Sequence, residues 1–216
     1  GLLLLAAAYL AECASAHSKP KNSNQRPYLP TILWYNLLFV GGALLLAYAV
    51  INYAPTTLAA PQPSHKMAEG DFTLDMSGWK QIRNVFERIR KADIATGNMA
   101  ETSPVVTYRW FPGTHFDYYV CYPLGVKLLV YGKLADIHKY AAINALRGDI
   151  QIGEDAYYVE VSNYHRDVQQ LYGAFFEKIE KPQVVALSRG GAHVRNLSVY
   201  RLRNCKRVPQ LADFAP

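Results

Sequence analysis

The run from Thr31 to Ala54, TILWYNLLFVGGALLLAYAVINYA, constrains this chain more than any other stretch, because it carries no ionisable side chain other than tyrosine. As a helix rising ~1.5 Å per residue it reaches about 36 Å, enough to cross a hydrocarbon core of about 30 Å with a slight tilt. Trp34, Tyr35 and Tyr53 lie near its ends, where amphipathic rings favour the membrane interfaces, and Pro30 and Pro55 bound it. A buried core helix is usually shorter and keeps a polar face. Residues 31–54 are therefore expected to form a transmembrane helix.

Residues 1–16, GLLLLAAAYLAECASA, form a second apolar run that ends in an A-x-A pattern of the kind cut in secretory signals. No methionine or basic region precedes Leu2, which suggests a chain processed upstream or a partial sequence. The expectation is a retained membrane-associated helix. At ~1.5 Å per residue it covers about 23 Å, short for a span. Residues 17–30 form a basic loop holding Lys19, Lys21 and Arg26 and no acid. The positive-inside rule assigns that loop to the cytoplasmic, matrix or stromal side and the carboxy-terminal domain to the opposite side. Residues 55–71 contain three prolines and no apolar period, the composition of a linker.

What remains, residues 72–216, is enough for one domain with a real core. Ser77 is a plausible cap for a helix carrying Trp79, Ile82, Val85, Phe86 and Ile89 on one face and Lys80, Arg83, Glu87 and Lys91 on the other. Val105–Phe111, His115–Cys121 and Val126–Gly132 are predicted as strands, separated by Pro112-Gly113 and by Pro123 with Gly125. Asp136 begins a short helix ending before Gly148, and Ala156–Val161 is a further strand. A helix is predicted from Asn163 to Lys181 on the apolar arc of Val168, Leu171, Tyr172, Phe175, Phe176 and Ile179. Gln183–Ser188 and His193–Arg203 are strands joined by a glycine hairpin. The fold class expected is α+β: one or two amino-terminal membrane helices, then a small domain with a mainly antiparallel sheet and two to three helices.

Motifs for chemistry are sparse. His115 and Asp117, two apart, would share a strand face, but there is no H-x-H, H-E-x-x-H or paired-cysteine spacing, so no metal or cofactor is expected. RGGAHVR at Arg189–Arg195 lacks the lysine and following helix of a phosphate loop and reads better as a turn. Cys121 and Cys205 could pair in an oxidising compartment; buried free thiols are the commoner outcome. Asn196-Leu197-Ser198 is a glycosylation sequon expected to be a chance match in a strand. A membrane-tethered enzyme using His115, Asp117 or His165 is the least favoured class.

Charge is the more informative signal. Lysine and arginine number 23 against 17 acids, a formal +6. From Arg189 to Arg207 there are basic residues and no acid, and period-two alternation puts Arg195, Arg201, Arg203 and Arg207 on one face. That face, with Lys80, Arg83 and Lys91, is the expected contact for partner subunits or anionic membrane lipid; nucleic acid is not expected. The function expected is a non-catalytic accessory subunit of a large membrane complex, in first place an energy-converting complex of the mitochondrial inner membrane. Its domain would face the intermembrane space. The alternative is a single-pass bacterial envelope protein with a periplasmic binding or assembly domain.

Overall fold

The computed structural model describes residues 10–11 and 28–214. The expectations for residues 1–9 and 12–27 fall outside them; Leu10 and Ala11 are helical. By contact density the chain divides into two units, Gly1–Ala49 and Val50–Pro216.

Helix α1 spans Tyr28–Tyr53, and within it Leu33–Tyr53 is long and apolar enough to cross a membrane by length and composition. Its large side chains are exposed on every side, Phe39 at 76%, the pattern of a helix suited to a non-aqueous surround rather than to one packed face.

In the second unit, α2 is Trp79–Ala95, α3 is Trp110–Phe116, α4 is Leu134–Ile137, α5 is Tyr140–Arg147 and α6 is Val168–Tyr172. The strands are β1 Val105–Thr107, β2 Leu128–Val130, β3 Ala156–Val161, β4 Phe176–Ile179, β5 Gln183–Arg189 and β6 Ala192–Cys205. They form one sheet in the order β2-β1-β3-β6-β4, with β5 also paired to β6. β1 runs parallel to both β2 and β3, whereas β3, β4 and β5 pair with β6 antiparallel. The mainly antiparallel sheet expected from the short turns is therefore corrected to a mixed one, with six α-helices among the described residues rather than three to five. Helical crossovers that allow parallel pairing were concealed in the stretch predicted as a strand at His115–Cys121.

That stretch is helical: α3 passes into a π-turn at Asp117–Cys121 and a 3-10 turn at Tyr122–Leu124. Phe116, Val120 and Cys121 are buried at i, i+4 and i+5, so the apolar residues follow a helical face and not an alternating one. The second correction lies at Asn163–Lys181. Asp167 accepts from the N–H groups of Gln169 and Gln170 and caps a helix of only five residues, after which Phe176–Ile179 pairs with β6. Phe175 and Phe176 are both buried, which a strand joining the core satisfies as well as a helix does.

Other elements match in part: Val105–Phe111 and Val126–Gly132 shorten to β1 and β2, Asp136 lies inside α4 rather than beginning one helix to Gly148, and Gly78, not Ser77, stands at the N-cap of α2. The α2 stripe Trp79, Ile82, Val85, Phe86 and Ile89 is buried throughout, and Ala156–Val161 is a strand buried at every position. Gly190 and Gly191, at φ 56° and 82°, make a two-residue turn of the primed type that suits a twisted hairpin. β4 and β5 lie end to end along the outer edge of β6, interrupted at Glu180–Pro182; proline is tolerated there because an edge strand has a side without a ladder.

The sheet separates two cores. One face carries Val105, Leu128, Tyr157, Val159, Leu197 and Val199 beneath α2 and α3. The other carries Val106, Leu129, Tyr158 and Leu202 against Tyr172 and Phe175. Fully burying a side chain such as Phe86 or Ile82 contributes about 1.5–3 kcal/mol.

The β2 edge is closed by side chains. Asn144 on α5 accepts from the Val130 N–H at 3.1 Å and donates to the Val130 carbonyl at 2.8 Å, while Arg147 donates to the Leu128 carbonyl at 3.0 Å. A single amide thus supplies the pair of ladder bonds that a further strand would make.

Residues 55–71 do not stand clear of the domain. Ala68 packs with Leu74 and Val194, Asn196 donates to the Ser64 carbonyl, and Ser162 donates to the Met67 carbonyl. Arg189 grips the same segment, donating to the carbonyls of Ile51, Ala54 and Thr56 and to Thr73, 3.8 Å from buried Asp71. Burial works to raise the Asp71 carboxyl, but hydrogen bonds from Thr73, Leu58 and Thr57 outweigh it and hold the group below the ordinary carboxylate range.

Candidate functional site

In open sheets with parallel strands, ligands bind outside the carboxyl ends of the strands, where successive connections leave in opposite directions. The chain leaves β1 for β2 on one side and later crosses to β3 on the other, so β1 marks such a point here. Three residue clusters emerge there: Tyr108, Arg109, Trp110 and Phe111 after β1; Gly132 and Lys133 after β2; Asn163, Tyr164, His165 and Arg166 after β3. Gly132 is required because a Cβ would collide with the Tyr108 carbonyl.

Three cavities share these residues. The first, about 260 Å³, is lined by Asp75, Tyr108, Arg109, Asn163, Tyr164 and Arg166 among others. It shares Tyr108 and Arg166 with a second of about 330 Å³ that includes Lys133 and Asp136. It shares Asp75, Arg109 and Tyr164 with a third of about 490 Å³, walled by Met76, Trp110, Phe111 and His115. Together they form a groove with aromatic walls and a polar floor, the general composition of a small-molecule site.

The polar groups are held from behind. Buried Glu160, at the end of β3, receives the Arg166 N–H at 3.1 Å, the Tyr158 hydroxyl at 3.1 Å and the His165 ring Nδ1 at 2.8 Å. Burial raises the Glu160 carboxyl above the ordinary range even so. Asp75 is raised for the same reason, although Tyr164 donates to it at 2.9 Å and Asn163 at 3.3 Å. Asn163 is 6% exposed, and its Oδ1 has no hydrogen-bond partner. A buried carbonyl acceptor without a donor costs about 1–3 kcal/mol, so its place in a cavity wall is informative.

The histidine candidates come apart. His115 packs against the rings of Trp79, Phe111 and Tyr119, with its buried Nδ1 unpartnered, and burial pushes its pKa down towards the neutral ring. Asp117 instead binds Arg147 at 2.9 Å and Tyr140 at 3.0 Å. His165 pairs with Glu160 beside His65. Among the described residues no group of three or more His, Cys, Asp or Glu side chains could hold a metal ion.

Of the basic face named from the sequence, Arg195, Arg201 and Arg203 share the side of β6 that α2 covers, whereas Arg207 lies beyond the strand on the opposite side. Arg195 is 1% exposed; it donates to the carbonyls of Leu74 and Ser77 and lies over the Trp79 ring at 5.2 Å. Burial lowers its pKa to about 10. Arg201 makes a two-bond pair with Asp93, both at 2.8 Å. Arg203 binds Asp155, Glu180 and Asn98. Leu197 and Val199, lying between these arginines, mark the face as one side of the core, so the expected outward orientation is corrected for Arg195. Arg207 is exposed, pairs with Asp213 and covers Phe175. Lys80 and Lys91 are exposed on α2, Arg83 is half-buried, and Lys91 bonds Glu87 at 2.7 Å.

Asn196, the sequon asparagine, is buried and bonded to Ser64 and His193, which removes it from the surface. Cys121 and Cys205 are buried free thiols in opposite cores, and burial raises both. The groove was missed from sequence because its residues come from four separate segments. The signal available was the cluster of aromatic and basic residues just after each parallel strand. Compared with protein-family models, curated proteins and solved structures, the chain matches none of them.

Proposed function

We propose that this chain is a membrane-anchored, non-catalytic binding module whose ligand occupies the groove at the carboxyl ends of β1, β2 and β3. The observation that carries the reading is Asn163, which lines a cavity at the switch point of the sheet and whose buried Oδ1 has no partner. No nucleophile-base pair meets in the groove: His115 is enclosed by rings, and His165 is engaged by Glu160. Residues 31–54 serve as the anchor, with the domain in the periplasm or intermembrane space, opposite the Lys19–Arg26 loop.

The test is a fragment screen of the full chain in detergent micelles, read by amide resonances. Binders should shift Tyr108, Arg109, Asn163 and Tyr164 and spare the β5–β6 turn. A screen whose binders leave those four residues unmoved would reject the groove. For the anchor, alkaline carbonate should leave the chain in the membrane pellet; release into the supernatant rejects it.

A second reading, as an accessory subunit of a membrane complex, has its own support. Tyr118, Tyr122 and Leu146 are 67%, 81% and 88% exposed, and Tyr118 and Leu146 flank the Asp117–Arg147 ion pair. Large apolar and aromatic side chains of this kind are enriched at protein interfaces. Native sizing after mild extraction separates the readings: a lone 24.2 kDa chain rejects the subunit.

A further inference from the structure

The cations around the groove divide by whether a carboxylate already holds them. Arg109 faces Asp136 at 3.7 Å, a loose pair. Arg166 is exposed; its guanidinium lies over the Tyr108 ring at 5.5 Å and donates only to the His165 carbonyl, at 3.2 Å. Lys133 is exposed as well, and among the described residues neither it nor Arg166 forms an ion pair. Both line the same 330 Å³ cavity. Arg166 is nonetheless placed, because Glu160 holds its N–H and Tyr108 supports its guanidinium plane. An arginine fixed at its base with an open fork suits an anion with several oxygens.

The opposing charges are weakened. Asp136 is offset by Arg109, and Asp75 accepts from Tyr164 and Asn163. The remaining orphan is the buried Oδ1 of Asn163, a residue lining the cavity that shares Arg166 and Tyr108 with the cationic one. An acceptor there calls for a hydroxyl or amide donor on the same ligand. Resting on the groove reading above, we propose that the ligand is a hydroxyl-bearing phosphate ester, its phosphoryl group held by Arg166 and Lys133 and its hydroxyl donating to Asn163 Oδ1. The same chemistry is offered by a soluble ester and by the headgroup of an anionic phospholipid.

The test uses the full chain in micelles or nanodiscs. Three soluble probes are titrated by calorimetry: glycerol 3-phosphate, glycerol and inorganic phosphate. Vesicles of phosphatidylcholine with and without phosphatidylglycerol, whose headgroup carries both the phosphate and free hydroxyls, are compared by co-sedimentation. Glycerol 3-phosphate should bind at least tenfold more tightly than either fragment of it. Arg166→Ala and Lys133→Ala should each weaken it at least tenfold, with Arg166→Lys losing less. These exposed positions leave folding intact, which urea midpoints verify. Binding of glycerol 3-phosphate identifies a soluble source; binding confined to phosphatidylglycerol vesicles identifies a headgroup. Equal binding by wild type and the Arg166→Ala/Lys133→Ala double variant overturns the proposal, as does the absence of binding by every phosphate probe. If neutral fragments still shift Tyr108 and Asn163 in that event, the ligand class has failed and the groove survives. If nothing shifts them, both have failed.

Discussion

The two halves of the sheet treat charge in opposite ways. On the antiparallel side, arginines are consumed by structure: Arg195 binds carbonyls inside the core, Arg201 pairs with Asp93, and Arg203 is surrounded by acceptors. On the parallel side, Arg166 and Lys133 reach a cavity with no carboxylate fixed to them. The carboxyls differ too. Asp93 is held below its usual range because hydrogen bonds from Arg201, Asn98 and Tyr157 outweigh the burial that would raise it, whereas burial prevails at Glu160 and Asp75. The number of arginines on a strand therefore says little about binding; what counts is whether the fold has already satisfied them.

Substitutions on the two sides should break along this line. The largest effect is expected for Arg201→Ala, which leaves Asp93 charged and unpaired in the interior; urea unfolding should show a loss of about 3–5 kcal/mol. Arg195→Met follows, at about 2–4 kcal/mol by the same measurement, since the Ser77 carbonyl loses the Arg195 donor and the Leu74 carbonyl is left with the Ser77 N–H. Asn144→Leu should cost about 1–3 kcal/mol and expose the Val130 amide to faster hydrogen exchange.

A pH series sharpens the contrast. The stability that Asp93 contributes is present above its unfolded pKa, near 3.8, and is lost as pH falls through the lower folded value. Wild type should therefore lose stability below about pH 4 more steeply than Asp93→Asn, which is already weaker at neutral pH. The smallest effect on stability, within about 0.5 kcal/mol, belongs to Arg166→Ala, although it should weaken phosphate-ester binding at least tenfold. A large unfolding shift for Arg166→Ala, or none for Arg201→Ala, would erase the distinction between the halves.

What the sequence disclosed followed the strength of its periodicity. The α2 stripe, the strand Ala156–Val161 and the β5–β6 hairpin were legible because a period or a glycine pair specified each alone. The stretch His115–Cys121 was not, since bulky β-formers such as Tyr118, Tyr119 and Val120 mask a helical spacing that only Phe116, Val120 and Cys121 reveal once buried. Parallel pairing depends on what lies between strands, so that error carried into the sheet. The shared face of Arg195, Arg201 and Arg203 was legible, but the burial of Arg195 was not, although Leu197 and Val199 were the clue; Arg207 falls outside that face because β6 ends at Cys205. The groove was illegible because residues 75, 109, 133, 163 and 166 meet only after the chain has crossed the sheet.

β6 has a further consequence, for assembly during synthesis. It pairs with β3 along one edge and with β4 and β5 along the other, and its Arg195 reaches back to carbonyls more than a hundred positions earlier in the chain. Until residues 192–205 leave the ribosome, β3 is paired on its β1 side alone, β4 and β5 lack the strand they pair with, and α2 lies over an incomplete floor. Closure of so many distant contacts in one late step favours a nascent domain that waits open, with sticky strands exposed to chaperones. Stalling translation just before and just after residue 205 would locate that moment as a jump in protease resistance.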